Sequence, residues 1–142
     1  MYRLTLANAE KMIDAAFAKG RELELKPLSV VVLDPGGHPI AFKRDDGASL
    51  MRFEIATGKA AGALALGVSS RTIGDMAGER PTFVAALASA ASPAIVPAAG
   101  GVIIVDGDGH HLGAIGVTGD TSDNDEVCAL AGIAAAGLSA LA

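Results

Sequence analysis

Apolar residues recur at helical spacing through residues 5–25. Leu6, Ala9, Ile13, Ala16 and Phe17 share one side, while Glu10, Lys11, Asp14 and Lys19 fall mostly on the other, which predicts an amphipathic helix. Pro27 closes the connection. Residues 28–33 are rich in Val and end at Asp34-Pro35-Gly36-Gly37, the pattern of a buried strand followed by a turn. Residues 38–44 read as the return strand of a hairpin, which Asp45-Asp46-Gly47 ends, with Pro39 placing it at an edge or a strand start. Residues 49–66, dense in Ala, Leu and Met, predict a second helix whose small-residue face carries Ala56, Ala60 and Ala63. A third, shorter helix starts after Ser69-Ser70 and stops near Gly78, because Ser caps helix starts and Gly ends them. Residues 81–99 fit either a helical turn with a loop or a loop over a pocket. Residues 102–105, the turn Asp106-Gly107-Asp108-Gly109 and residues 110–118 read as a second hairpin. Acids Asp123, Asp125 and Glu126 then precede a final apolar helix running from Val127 towards Leu141, placed to complement its positive end. This order predicts one α+β domain over residues 1–142, a mostly antiparallel sheet with helices on its faces. No internal repeat stands out, although the two hairpins play similar roles.

Composition narrows the function classes. With 51% hydrophobic and 19% charged residues, the chain is too apolar to be disordered, and no run approaches the roughly 18 apolar residues of a membrane span. A net charge of −5 with scattered basic residues offers no footprint for nucleic acid. The start, Met1-Tyr2-Arg3-Leu4-Thr5, lacks the pattern of a secretory leader, so a cytoplasmic location is expected. One cysteine, Cys128, cannot form an internal disulfide and agrees with a reducing compartment. So apolar a small chain is expected to cover surface by forming a homo-oligomer.

Few residues suggest chemistry directly. Asp106-Gly107-Asp108-Gly109 lacks the remaining ligands of a calcium loop and reads as a hairpin turn. His110 and His111 point to opposite faces of a strand and read as turn or solvent contacts. His38, at the matching place in the first hairpin, is a surface turn residue that could also ligate iron or take a proton. Gly113, Gly116 and Gly119 lack the order of a dinucleotide loop and mark either close backbone packing or ligand access. Asp120, Asp123, Asp125 and Glu126 read first as helix capping. Arg52 and Lys59, seven residues apart on the second helix, project from roughly one side and could clamp a carboxylate.

Three stretches, taken together, resemble one family. They are Val30-Val31-Val32-Leu33-Asp34-Pro35-Gly36-Gly37-His38 with Phe42-Lys43-Arg44-Asp45-Asp46-Gly47-Ala48, then Ala56-Thr57-Gly58-Lys59-Ala60, then Gly100-Gly101 through Gly113-Ala114-Ile115-Gly116-Val117-Thr118-Gly119. In order and over nearly the whole chain, they are similar to the GlcG/HbpS family, which includes the C-terminal domain of PduO-type proteins. The resemblance implies a profilin-like α-β-α domain assembled into dimers or larger oligomers, and heme or small-ligand binding. On the heme reading, His38 or a Thr oxygen holds the iron, and Arg52 or Lys59 pairs with a propionate. Thr118 and Thr121 stand at or beside the matched motifs as further ligand candidates. An alternative is a cofactor-free lyase or isomerase of a small aromatic or hydroxy acid, resembling a hydroxylaminobenzoate lyase. There Arg52 or Lys59 binds the carboxylate and Glu54, Asp120 or His38 handles protons. A non-catalytic oligomeric accessory protein is the third reading.

Overall fold

The computed structural model describes residues 3–142; Met1 and Tyr2, part of the stretch read for a leader, lie outside them. The described elements run α1 (Leu6–Glu22), β1 (Ser29–Leu33), β2 (Pro39–Arg44), α2 (Arg52–Leu66), α3 (Ser70–Glu79), α4 (Pro81–Ala90), β3 (Gly101–Val105), β4 (His111–Thr118), α5 (Ser122–Ala135) and β5 (Ser139–Ala140). The five strands form one sheet in the order β2-β1-β4-β3-β5, and every pairing is antiparallel.

Local chemistry sets the element ends. Thr5 caps α1 in a reciprocal box with Asn8, Ser69 caps α3 by accepting from the Thr72 N–H, and Gly67 ends α2 in the left-handed conformation. The ambiguous stretch resolves into α4, with Pro81 in its first turn, followed by a loop that carries a cis Ser92–Pro93 bond. The expected last helix is corrected at both ends. The acids lie inside the helix, Asp123 and Asp125 in its first turn behind the cap Thr121, and it stops at Ala135 rather than running to Leu141. Gly137 takes a positive φ, and the chain returns to pair Ser139 and Ala140 with β3.

Alternation along β1 separates two cores. Val30 and Val32 join Ile104, Ile115 and Val117 beneath α1 and α5, while Val31 and Leu33 join Ala114 beneath Ala56, Ala60 and Ala61 of α2. The α2 backbone lies almost on the sheet. A Cβ on Gly116 would stand 2.1 Å from the Ala56 carbonyl oxygen, and one on Gly101 2.2 Å from that of Lys59. The strand glycines are therefore packing positions, which settles the choice between packing and ligand access at Gly116.

Register sorts the polar residues between the two ends of the sheet. Leu33 of β1 pairs with Ala114 near the start of β4, and Ser29 pairs with Thr118 at its finish. Both hairpin turns, 34–38 and 106–110, consequently lie at one end, while Arg52, Lys59, Thr118 and the start of α5 gather at the other.

Candidate functional site

At the Thr118 end the polar groups form a largely closed network. Lys59 and Asp125 are 3% and 1% exposed, with Nζ 3.1 Å from Asp125 Oδ2, and Nζ also donates to the Val117 carbonyl at 3.1 Å. Burial pushes the Lys59 ammonium below its ordinary pKa, Asp125 pulls it back up, and the nearby Arg52 charge lowers it further. The second oxygen of Asp125 accepts from the Asp120 N–H at 2.9 Å. Asp120 accepts from the Lys26 N–H and from Asn124 Nδ2. The Asn124 bond, then backbone donors, hold its carboxyl down at about 2. All four acids read as capping thus have other work: Asp125 neutralises Lys59, Asp120 ties the α1–β1 connection to α5, and Asp123 and Glu126 hold Arg71.

Arg52 differs from Lys59. It is partly buried; its Nη1 donates to Thr118 Oγ1 at 2.8 Å and its Nε to Ser49 Oγ at 2.8 Å. The two cations share one side of α2, as their spacing predicts, but Lys59 is turned inward onto Asp125. Thr121 is occupied as the α5 cap. Glu54 is exposed. Cys128 is buried, and desolvation raises its thiol to about 11, which makes it unreactive.

The two turns at the other end are copies of one design. In each, an aspartate carboxylate accepts from the backbone N–H groups two and four residues on: Asp34 from Gly36 and His38, Asp106 from Asp108 and His110. Each aspartate N–H in turn bonds the carbonyl of its histidine. The first signal missed in the sequence is this repeat, Asp-Pro-Gly-Gly-His and Asp-Gly-Asp-Gly-His, each after a β-branched strand. Between the turns lies a cleft of about 630 Å3 lined by Arg3, Pro35, Asp106, Asp108, His111 and Leu112 together with His110.

His110 is the better positioned histidine. Its Nδ1 is 3.1 Å from Asp106 Oδ2, so the neutral ring carries its proton on Nδ1 and leaves the Nε2 lone pair free. The His110 N–H is the leading cause that holds the Asp106 carboxyl below its ordinary range. Asp106, Asp108 and His110 bring three ligand atoms within 4.8 Å of one another. His38 lies on the neighbouring turn, 82% exposed and 3.6 Å from Asp34, so the sheet separates it from Arg52 and Thr118. The sequence alone marks His110 only as a turn or solvent contact.

Residues 4–134 match the family described as haem degrading protein HbpS-like. The chain belongs to the HbpS-like family. An uncharacterized 15.0 kDa protein of the dhaT–dhaS intergenic region in Citrobacter freundii is 32% identical over 126 residues, covering 89% of this chain and 87% of that one. Among solved structures, a double mutant of HbpS from Streptomyces reticuli is 29% identical with a TM-score of 0.79, over 94% of this chain and 87% of that one. A PduOC–heme complex is 23% identical with a TM-score of 0.84, over 97% and 98%; that likeness is one of fold. Among the described residues, this HbpS-like chain has no helix long and apolar enough to cross a membrane.

Proposed function

We propose that this protein binds heme, or a flat small ligand of similar size, in the cleft between the two hairpin turns. Support comes from the HbpS-like family and from a related fold seen in complex with heme. The observation that carries the reading to this end of the sheet is the His110–Asp106 pair on the cleft wall. A metal-binding histidine commonly gives its other ring N–H to a carboxylate, which fixes the tautomer and makes the free nitrogen a better donor. The cleft fits the group: about 630 Å3 lies within the roughly 300–1,000 Å3 of small-molecule sites. Pro35 and Leu112 offer apolar wall, His110 Nε2 an iron ligand, and Arg3 a cation for a propionate. Asp108 opposes a second carboxylate there, so Arg3 is the pairing group. Heme bound in this way would supply a redox-active iron.

Titrating the protein with hemin and following the Soret band tests the reading. The expected result is a saturable, stoichiometric shift that His110→Ala loses and His38→Ala keeps. A shift lost only in His38→Ala moves the iron to the first turn and overturns the His110 assignment. No saturable shift in the wild type overturns heme binding itself.

Self-association belongs to the same proposal. Leu50 and Met51 are 87% and 64% exposed beside Phe53 at the start of α2, and covering them favours a homo-oligomer. Sedimentation equilibrium at micromolar concentration should give a mass above that of the monomer. A cytoplasmic location is proposed with it, supported by the single buried Cys128.

A further inference from the structure

The two hairpin turns share a backbone but not a set of side chains. In both, one oxygen of the leading aspartate is spent on backbone N–H groups: Asp34 Oδ1 on Gly36 and His38, Asp106 Oδ1 on Asp108 and His110. In the first turn the histidine faces that same oxygen, with His38 Nδ1 3.6 Å from Asp34 Oδ1. In the second it faces the other one, with His110 Nδ1 3.1 Å from Asp106 Oδ2. The residue two places after the aspartate also differs, being Gly36 in the first turn and Asp108 in the second. Asp106, Asp108 and His110 each bring a ligand atom within 4.8 Å of the other two. Among the described residues no other three His, Cys, Asp or Glu side chains converge so closely, the four acids at the start of α5 included.

The spacing of Nδ1 and Oδ2 serves a shared proton or a shared ion equally, because two ligand atoms about 2.1 Å from one ion lie roughly 3.0–3.4 Å apart at octahedral to tetrahedral angles. Asp108 decides between them. A proton held between Asp106 and His110 needs no second carboxylate, yet one stands beside them, exposed and without a hydrogen-bond or ion-pair partner among the described residues. The turn is held by backbone bonds, so rotation about its own side-chain bonds brings the Asp108 carboxylate onto an ion without moving the loop. Against these two negative charges the cleft lining sets one guanidinium, that of Arg3. The three residues line the cleft, which leaves room for water in the remaining coordination positions. An imidazole with two carboxylates suits a divalent first-row transition ion, whereas Mg2+ and Ca2+ prefer oxygen alone and Cu+ prefers sulfur.

We propose that Asp106 Oδ2, the Asp108 carboxylate and His110 Nδ1 form a binding site for a divalent first-row transition-metal ion. The first turn, without the second acid, is its internal control. Ligation through Nδ1 moves the single proton of the neutral ring, by exchange with solvent, to Nε2. That is the nitrogen whose lone pair the heme iron needs, so the ion and the iron exclude each other at His110 and the ion acts as a brake on heme binding. The exclusion rests on the heme reading; the ion site does not.

Zinc is the probe, with magnesium as the oxygen-preferring control, added to untagged protein without hemin. Calorimetric titration should show saturable zinc binding and no matching response to magnesium. In the long-range 1H–15N spectrum of the histidine rings, zinc should shift Nδ1 of His110 and leave His38 unmoved. Asp106→Asn keeps an oxygen for the turn N–H groups but loses the charged ligand; it and Asp108→Ser should each weaken zinc about tenfold or more, while His38→Ala should bind as wild type. Equal response to magnesium, wild-type affinity in both acid variants, or ligation through His110 Nε2 or His38 would each overturn the site. Hemin is then titrated with and without saturating zinc. A hemin affinity that zinc weakens about tenfold or more supports the exclusion, and an unchanged affinity overturns it. A wild type that binds zinc but gives no hemin shift overturns the exclusion together with the heme reading and supports the ion site.

Discussion

The two ends of the sheet use similar residue types in opposite ways. At the Thr118 end a lysine and an aspartate are sealed together, 3% and 1% exposed, with Asp120 and Lys26 bound to the same network. At the turn end a histidine and an aspartate meet at a similar distance but in the open, His110 being 74% exposed. Burial decides what each pair does. A sealed ion pair must stay matched, because losing one partner strands a charge in low dielectric. An open pair gives up little by changing partners, and can exchange water for a ligand. One end is sealed, and the other stays open to solvent.

The sharpest way to break that contrast is Lys59→Met. It leaves Asp125 buried without its counter-charge, and the expected loss in urea unfolding is about 3–5 kcal/mol. Replacing both partners by apolar residues, Lys59→Met with Asp125→Leu, should recover much of it. A single-variant loss below about 1 kcal/mol would show that the pair is not the anchor of that end. Next comes Gly116→Ala, whose new carbon meets the Ala56 carbonyl at 2.1 Å. Overpacking against backbone should cost about 1–3 kcal/mol, checked by the urea midpoint, and an unchanged midpoint would mean that α2 can lift off the sheet.

Acid titration probes the same end more gently. Asp120 titrates at about 2 in the fold, below the ordinary aspartate value, so its contribution to stability is complete above roughly pH 4 and fades as pH falls towards 2. Asp120→Asn should therefore be less stable than wild type at pH 7 and converge with it near pH 2. A deficit independent of pH would assign the effect to lost geometry rather than to charge. The smallest stability change is expected at the open end. His110→Ala should move the urea midpoint by no more than about 0.5 kcal/mol while abolishing the hemin shift. If it unfolded the protein instead, the turn end would be structural after all.

Much of the architecture was legible because it rests on local signals. Ser69 at the start of the third helix and the Asp-Gly turns announce themselves within four residues, and the burial of β1 follows from its valines. What escaped was non-local. The helical spacing of Ala134, Leu138 and Leu141 continues past Ala135, so only tertiary pairing of Ser139 and Ala140 with β3 reveals the last strand. In residues 81–99 the run of Ala and Ser has no periodicity from which a boundary can be read. The side shared by Arg52 and Lys59 was readable from their spacing; the partner that separates their roles, Asp125, lies 66 residues beyond Lys59.

The sheet's borders carry a consequence of their own. On one side β2 begins with Pro39 and finishes with Lys43 and Arg44, so only Ile40, Ala41 and Phe42 offer a plain backbone edge. On the other, the two-residue β5 covers part of β3 and adds little edge beyond itself. Proline and charge at a border discourage strand-to-strand propagation between molecules. A chain this apolar, with a five-stranded sheet at its centre, is thereby shielded from growing edge to edge into an endless ribbon.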